Sequence, residues 1–356
     1  MSNNMILIMN RIFTRLLDYS MEIEQEFHDS FIEDRWIESP NKSSEDSLKN
    51  IKPFGDKYVS VPGSFFQIFC LDDDYYFASS EKLKDDVIPE YLEEVDCDIG
   101  IDIGVLYFLD VPIRHDLEFK YVFNKIAPTY KGYPNYNGHD WDVVKGAFVS
   151  YYIYKIAQQF KYFIDGTSVT RFAGSVVLQS RLYVLKLFQF VSDQANSMFI
   201  YGSKELPFDN LMNSITSTSY SHCFLELYRC MEAIYRPVSL MNFHSTIRPS
   251  MTVMELVDDV ERELGWKARE SEAIRRVLGF VPIYKLEKLI DVFSIKQRNR
   301  NKIADSIYLL RCNIVHYKYK QQNIEYNDET WNDIIYTMLL IIEYWYNEIE
   351  GKFHSR

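Results

Sequence analysis

Only five cysteines occur in the 356 residues, Cys70, Cys97, Cys223, Cys230 and Cys312. The number is odd, no Cys-x-x-Cys is present and no His/Cys spacing suits zinc. A disulfide framework and a structural zinc site are thereby excluded, and the thiols read as reduced and intracellular. No run approaches the roughly 18 apolar residues that a membrane span requires. Met5-Ile-Leu-Ile-Met9 is too short for the core of a signal peptide, so the chain reads as soluble and cytoplasmic, with no membrane partner. Glycine is sparse at 13 residues. Gly100 and Gly104 belong to no Gly-x-Gly-x-x-Gly and have no phosphate-loop lysine beside them, which removes a nucleotide cradle. Basic residues are outnumbered: the net charge of −12 counts against nucleic-acid binding over the whole surface. His139, Asp140 and Asp142 share one loop but fall short of a metal-ligand pattern. No metal and no cofactor are expected.

What is present is apolar bulk. Hydrophobic residues make up 47% of the chain and aromatics 16%, the composition of a globular protein. The length suits two domains, each long enough for its own core. Charge is unevenly spread: from Asp72 to Asp102 there are twelve acidic residues against two lysines. Lys296-Gln-Arg-Asn-Arg-Asn-Lys302 is the opposite case, a basic run.

Apolar residues at helical spacing (Ile8, Ile12, Leu16, Tyr19, Ile23) predict a first helix within residues 5–37. Ser39 to Gly55 is rich in Ser, Asn, Lys and Pro and reads as a loop. Tyr58-Val-Ser-Val, Phe65–Leu71 and Tyr75–Ala78 are short aromatic or β-branched runs between turn residues, and predict strands. Ile99–Leu109 continues that theme. Tyr130–Trp141 reads as an aromatic, turn-rich loop that pins itself down with its rings or stacks on a ligand. Residues 143–163 and 175–201 are apolar without a decisive period, and either helix or strand fits.

From about Leu206 the pattern becomes helical. Phe224, Leu227, Tyr228, Met231 and Tyr235 mark one face, which Pro237 is expected to end. Glu226, Arg229 and Glu232 occupy the polar side at spacings suited to surface ion pairs. Thr252 with Glu255 forms a capping-box pattern, and short helices are expected around Glu270–Leu278 and Tyr284–Phe293. The last helix carries a wide stripe (Trp331, Ile334, Ile335, Met338, Leu339, Ile342, Trp345, Tyr346, Ile349) for packing in a bundle or a dimer. The fold class is therefore α+β, with a mixed, strand-rich N-terminal domain over residues 1–204 and a helical domain over 205–356.

One stretch combines a core stripe with chemistry. In Asn301–Tyr317 the apolar residues Ile303, Ile307, Leu310 and Ile314 are spaced 4, 3 and 4 apart, and Arg311, Asn313 and His316 lie on the same predicted helix. A histidine moves protons near neutral pH. An arginine holds a phosphate and offsets charge developing on it, and the amide can orient either. Arg311-Cys-Asn313-Ile-Val-His316 resembles the Arg-x(4–6)-His signature of the HEPN superfamily, with the polar residue two places after the arginine and Cys312 between. Phe224–Tyr235 resembles an early helix of ApeA-like HEPN domains. The resemblance covers roughly residues 205–350.

The resemblance implies a helical bundle that homodimerises and joins two Arg/His motifs into one metal-independent ribonuclease site. Arg311, His316 and Asn313 would be catalytic, and Glu232 or Arg229 would face the motif helix in support. Lys296, Arg298, Arg300, Lys302 and Lys318 would contact the RNA substrate. At 100° per residue, Asn313 and His316 lie about 60° apart, whereas Arg311 and His316 lie about 140° apart. Arg311 must then curl round the helix, or a dimer mate must supply it. Likeness to ApeA-like proteins implies an abortive-infection or toxin role, with the N-terminal domain sensing a regulatory protein or a phage-derived trigger. Two rivals are an inactive HEPN dimerisation or RNA-binding module and a nucleotide-modified toxin of a toxin–antitoxin pair. The latter subgroup has a tyrosine two places after the histidine, where this chain has Lys318 between Tyr317 and Tyr319.

Overall fold

The computed structural model describes residues 5–23, 35–38, 42–58, 64–83, 90–126, 137–247, 251–264, 269–315 and 326–352. The chain is α+β, about 64% helical, and forms two compact units, Met1–Ser180 and Arg181–Arg356. Among the described residues no helix is long and apolar enough to cross a membrane.

In the first unit, helices α1 (Met5–Ile23) and α2 (Lys42–Asn50) precede strands β1 (Lys52–Tyr58), β2 (Phe66–Leu71), β3 (Asp74–Ser79) and β4 (Leu92–Glu94). Then come α3 (Ile99–Phe108), the single turn α4 (Phe119–Tyr121), α5 (Trp141–Lys145), β5 (Tyr152–Ile156) and α6 (Ser168–Gln179). The five strands form one antiparallel sheet in the order β1-β2-β3-β5-β4. Asp72 and Asp73 turn β2 into β3 with φ of 49° and 68°, the left-handed pair that a two-residue hairpin needs and that aspartate tolerates. Pro53 lies in edge strand β1, where no inner ladder bond is lost.

The sheet is buried on both faces, which is why β2 is apolar without alternation. Phe69 and Leu71 join the cluster built on Ile12, Phe13, Leu16 and Leu106. Phe66 stacks on Phe77, which meets Phe172 of α6 edge-on.

Two expectations fail here. Ser39 to Gly55 is not a loop but contains α2 and most of β1, with Leu48 and Ile51 fully buried beneath a polar surface. Ile99–Leu109 is a helix, not a strand. Asp98 caps it by accepting from the Ile101 amide at 3.0 Å. The helix packs against α1 and α2, so it is apolar nearly all round and shows no 3.6-residue period. Gly104 lies where an added Cβ would meet Ile51 Cδ1 at 2.5 Å. Buried Asp102 on α3 accepts from Tyr151 (3.0 Å), Trp141 (3.1 Å) and Lys145 (2.9 Å). Asp98 and Asp102, part of the acidic stretch, are thus structural. The ambiguous segments resolve into β5, α6 and α7 (Gln189–Tyr201).

In the second unit α7 is followed by α8 (Phe208–Ile215), α9 (Tyr220–Glu232), α10 (Tyr235–Ile247), α11 (Val253–Leu264) and α12 (Glu270–Phe280). The last three are α13 (Glu287–Val292), α14 (Arg300–Val315) and α15 (Asp328–Lys352). The stripe of α15 is buried from Trp331 to Tyr346 against α7, α9 and α13 of its own chain, so it is consumed in the bundle. The capping box of α11 closes both ways, with the Glu255 amide donating to Thr252 Oγ1 at 3.1 Å and the Thr252 amide to Glu255 Oε2 at 2.7 Å. Pro237 does not end the preceding helix. That helix ends at Glu232, and the proline lies in the first turn of α10, where a missing N–H costs nothing.

The helical pattern was expected from Leu206, yet the second unit starts at Arg181. Asn332, fully buried on α15, explains the difference. Its amide donates to the Lys186 carbonyl at 3.0 Å and the Asp328 carbonyl at 2.7 Å, and its oxygen accepts from the Phe188 amide at 2.7 Å. The irregular segment ahead of α7 is thereby fastened to the last helix. Asn332→Ala would strand a buried donor and acceptor together and is expected to cost about 2–3 kcal/mol, measured by urea unfolding of the full chain. A loss within the error of the wild-type midpoint would remove this explanation.

Candidate phosphate-binding site at converging helix ends

Helix α14 forms as the spacing predicts. Ile303, Ile307 and Leu310 are buried, with Ala304 beside them. Its largest contact is with α12. Arg311 lies on the last turns with its side chain 24% exposed. Asn313, two residues on, is half-buried. His316 and Lys318 lie outside the described residues.

Arg311 does not stand alone. Its Nε is 3.2 Å from Glu270 Oε1, and its Nη2 is 4.0 Å from Glu232 Oε1. The Tyr228 hydroxyl donates to the same Glu270 oxygen at 2.6 Å. The guanidinium carbon lies 5.9 Å from the centre of the Tyr228 ring, within cation–π range. Four helix ends supply these groups: Tyr228 and Glu232 close α9, Tyr235 opens α10, Glu270 opens α12 and Arg311 stands near the end of α14. A carboxylate on the first residue of α12 sits at the positive end of that helix dipole, and the arginine lies towards the negative end of α14.

The electrostatics follow from this packing. Burial works against the charge on Arg311, but Glu270, Tyr228 and Glu232 outweigh it and raise its pKa above the usual value. Burial also raises Glu232, and the neighbouring Glu270 adds to the effect, while Arg311 and Arg229 oppose it. The Tyr228 and Tyr235 phenols are pushed up, chiefly by burial. The Tyr235 hydroxyl, in a side chain only 6% exposed, has no partner in normal hydrogen-bond geometry. This corner therefore holds one fixed cation, two carboxylates of unequal comfort and an unsatisfied hydroxyl.

Of the two supporting residues read from sequence, Glu232 faces Arg311 and Arg229 does not. Arg229 pairs instead with Glu226 one turn back on its own helix. Glu270, Tyr228 and Tyr235 were missed. Tyr228 and Tyr235 had been absorbed into an apolar face. Glu270 carries no local signal beyond an acid at a helix start, and its partner lies 41 positions away. The basic run is not beside Arg311 either. Lys296, Arg298, Arg300 and Lys302 lie at the opposite end of α14, about 14 Å or more away by helical rise. Arg298 pairs with Glu287 at 3.2 Å, and Arg300 donates to the Val281 carbonyl at 3.1 Å. Lys296 and Lys302 are exposed. His139, Asp140 and Asp142 are used otherwise: His139 is buried against Phe13, its ring centre 5.0 Å away, and Asp140 caps α5. No cluster of three or more His, Cys, Asp or Glu side chains suited to a metal occurs among the described residues.

Comparison with known protein families, curated proteins and solved structures finds no match. The site is therefore argued from its chemistry alone.

A carboxylate whose folded pKa is raised binds more protons folded than unfolded, so its contribution to stability falls as pH rises through that window. Replacing Glu232 by the isosteric neutral amide removes the penalty. Glu232→Gln is expected to raise the melting temperature at pH 8 by about 1–3 °C and to change it less at pH 5. A lower melting temperature at pH 8 would mean that the Arg311 contact outweighs burial.

Proposed function

We propose that the C-terminal unit is a HEPN-like helical bundle and that the protein is a metal-independent endoribonuclease acting as a homodimer. The single observation that carries this reading is Arg311, the arginine of the Arg311-x4-His316 spacing in the sequence, anchored on a bundle helix at a junction of helix ends. An arginine binds phosphate through its fork of N–H donors, often two at a time. In Arg311 the Nε edge meets Glu270, and Nη2 has only the 4.0 Å contact with Glu232.

In the proposed reaction the ribose 2′-OH gives its proton to a general base and attacks the adjacent phosphorus. The bond to O5′ breaks as a general acid protonates that oxygen, leaving a 2′,3′-cyclic phosphate and a 5′-OH. His316 and its dimer mate fill the acid and base roles, Arg311 offsets the charge on the pentacoordinate phosphorus, and Asn313 orients the phosphate. The homodimer would pair two chains along α14, bringing each motif to the other. Such pairing would answer the wide angle between Arg311 and His316. Lys296, Arg298, Arg300 and Lys302 would then hold RNA remote from the scissile bond, and Lys318, two residues after His316 in the sequence, would hold it nearby.

An unguarded ribonuclease would damage its host, so the N-terminal unit is assigned the control of the site through a regulatory protein or a phage-derived trigger. The likeness to ApeA-like proteins supports a role in abortive-infection defence or as a toxin. A second reading, a non-catalytic dimerisation or RNA-binding module, is favoured by one observation: Arg311 already has carboxylate partners.

Labelled total RNA and single-stranded DNA, incubated with the full chain in EDTA, separate the two. Cleavage of RNA but not DNA, ending in cyclic phosphate, is expected. His316→Ala and Arg311→Ala should each reduce the rate by about a hundredfold or more. Equal cleavage by wild type and variants would place the activity elsewhere, and binding without cleavage would favour the second reading.

A further inference from the structure

Three charged groups at the corner leave an imbalance. With both carboxylates ionised, Glu232, Glu270 and Arg311 together carry one negative charge, which repels an incoming phosphate. The two carboxylates are not equivalent. Glu270 Oε1 is held by the Tyr228 hydroxyl at 2.6 Å and by Arg311 Nε at 3.2 Å. Glu232 has only the 4.0 Å contact with Nη2. Its side chain is 39% exposed, against 24% for Arg311, so both can be reached from solvent. The groups facing Glu232 are Glu270 from α12, Arg311 from α14, Tyr235 at the head of α10 and Arg229 on its own helix. Arg229 is engaged with Glu226, and among the described residues Arg311 is the cation that reaches the Glu232 carboxylate.

We propose that Arg311 binds an RNA phosphate by exchanging Glu232 for the anion while Glu270 keeps hold of Nε, and that the exchange is coupled to partial protonation of Glu232. Glu270 and Tyr228 are then positioning residues and Glu232 is the group that yields. The inference rests on Arg311 being a phosphate ligand, but not on any cleavage. The sign follows from charge. An anion beside Glu232 favours its neutral form further, so bound protein holds more protons than free protein and affinity rises as pH falls. A protonated carboxyl also becomes a donor and can add a hydrogen bond to the phosphate that the carboxylate cannot.

The test uses the full chain and a fluorescent oligoribonucleotide methylated at every 2′-oxygen, so that binding is read without cleavage. Affinity is measured by anisotropy from pH 5 to pH 8 for wild type, Glu232→Gln, Glu270→Gln and Arg311→Ala. Histidines titrate in every variant, so the decisive quantity is the ratio of Glu232→Gln to wild-type affinity. It is expected to be near unity at pH 5 and to rise to about tenfold at pH 8, one pKa unit of linkage. Glu270→Gln should weaken binding by about tenfold, because the guanidinium loses its anchor, and should move the pH dependence to lower pH, because burial and Glu270 together raise the Glu232 carboxyl. Calorimetry of the wild type in two buffers of different ionisation enthalpy gives proton uptake directly and needs no variant. A flat ratio, no proton uptake from pH 5 to pH 8, or binding unaffected by Arg311→Ala would each overturn the exchange. If the exchange is seen but native RNA is never cut, the ribonuclease reading fails alone. If RNA is cut and the ratio stays flat, only the exchange fails.

Discussion

The guanidinium of Arg311 is the constraint on which the C-terminal corner depends. It brings together the ends of α9, α12 and α14, because Glu232, Glu270 and Tyr228 all converge on it. A buried or half-buried carboxylate without a cation is costly, and so is a cation without a carboxylate. Here each offsets the other's desolvation. The balance is incomplete, however, since two carboxylates meet one guanidinium and the better-held one leaves the other exposed to repulsion. That residual mismatch is unexpected for a purely structural ion pair, where one bidentate partner would suffice. It is the pattern of a site with a charge to exchange.

The remainder of the second unit serves to hold those helix ends still. The α15 stripe is fully buried, and its polar atoms reach outward to its neighbours. The Trp345 indole donates to the Val277 carbonyl of α12 at 3.2 Å, and the Tyr346 hydroxyl donates to the Cys230 carbonyl of α9 at 3.1 Å. These two bonds tie the last helix to both elements that supply carboxylates to Arg311. Positional precision at the corner is thus inherited from the core, and Glu232, Glu270 and Arg311 all sit on helices.

Much of this was legible in the sequence where residues act on near neighbours. The α14 stripe, the α11 capping box and the β2–β3 run are written in spacings of two to four residues, and each formed as read. What was not legible depended on distant partners. Ile99–Leu109 is apolar all round because α1 and α2 cover it, which erased the period that distinguishes helix from strand. Residues 181–188 contain no regular element, and partners far along the chain, Asn332 with Tyr220 and Asp328, assign them to the helical unit. The motif arginine could be picked out by spacing, but Glu270 could not, because an acid at a helix start is ordinary in itself. Arg229 failed for the converse reason: a nearer carboxylate, Glu226, satisfied it first.

Net charge bears on how RNA would reach such a corner. At −12 overall, the protein repels a polyanion at long range, and at physiological salt that field is screened beyond about 8 Å. Approach is then decided by the groups within a Debye length of the contact. At the head of α14 exposed Lys296 and Lys302 are free to meet phosphates, whereas Arg298 and Arg300 are already engaged. Two clusters at either end of one helix, about 14–20 Å apart by its rise, are spaced for several nucleotides and not for one. An RNA strand laid along α14 would meet fixed cations at one end and an exchangeable one at the other. Binding at the first is purely electrostatic and falls with salt, whereas binding at the second also depends on the protonation of Glu232. On the proposed reading, affinity and chemistry would be under separate control on a single helix, as a ribonuclease held in check would require.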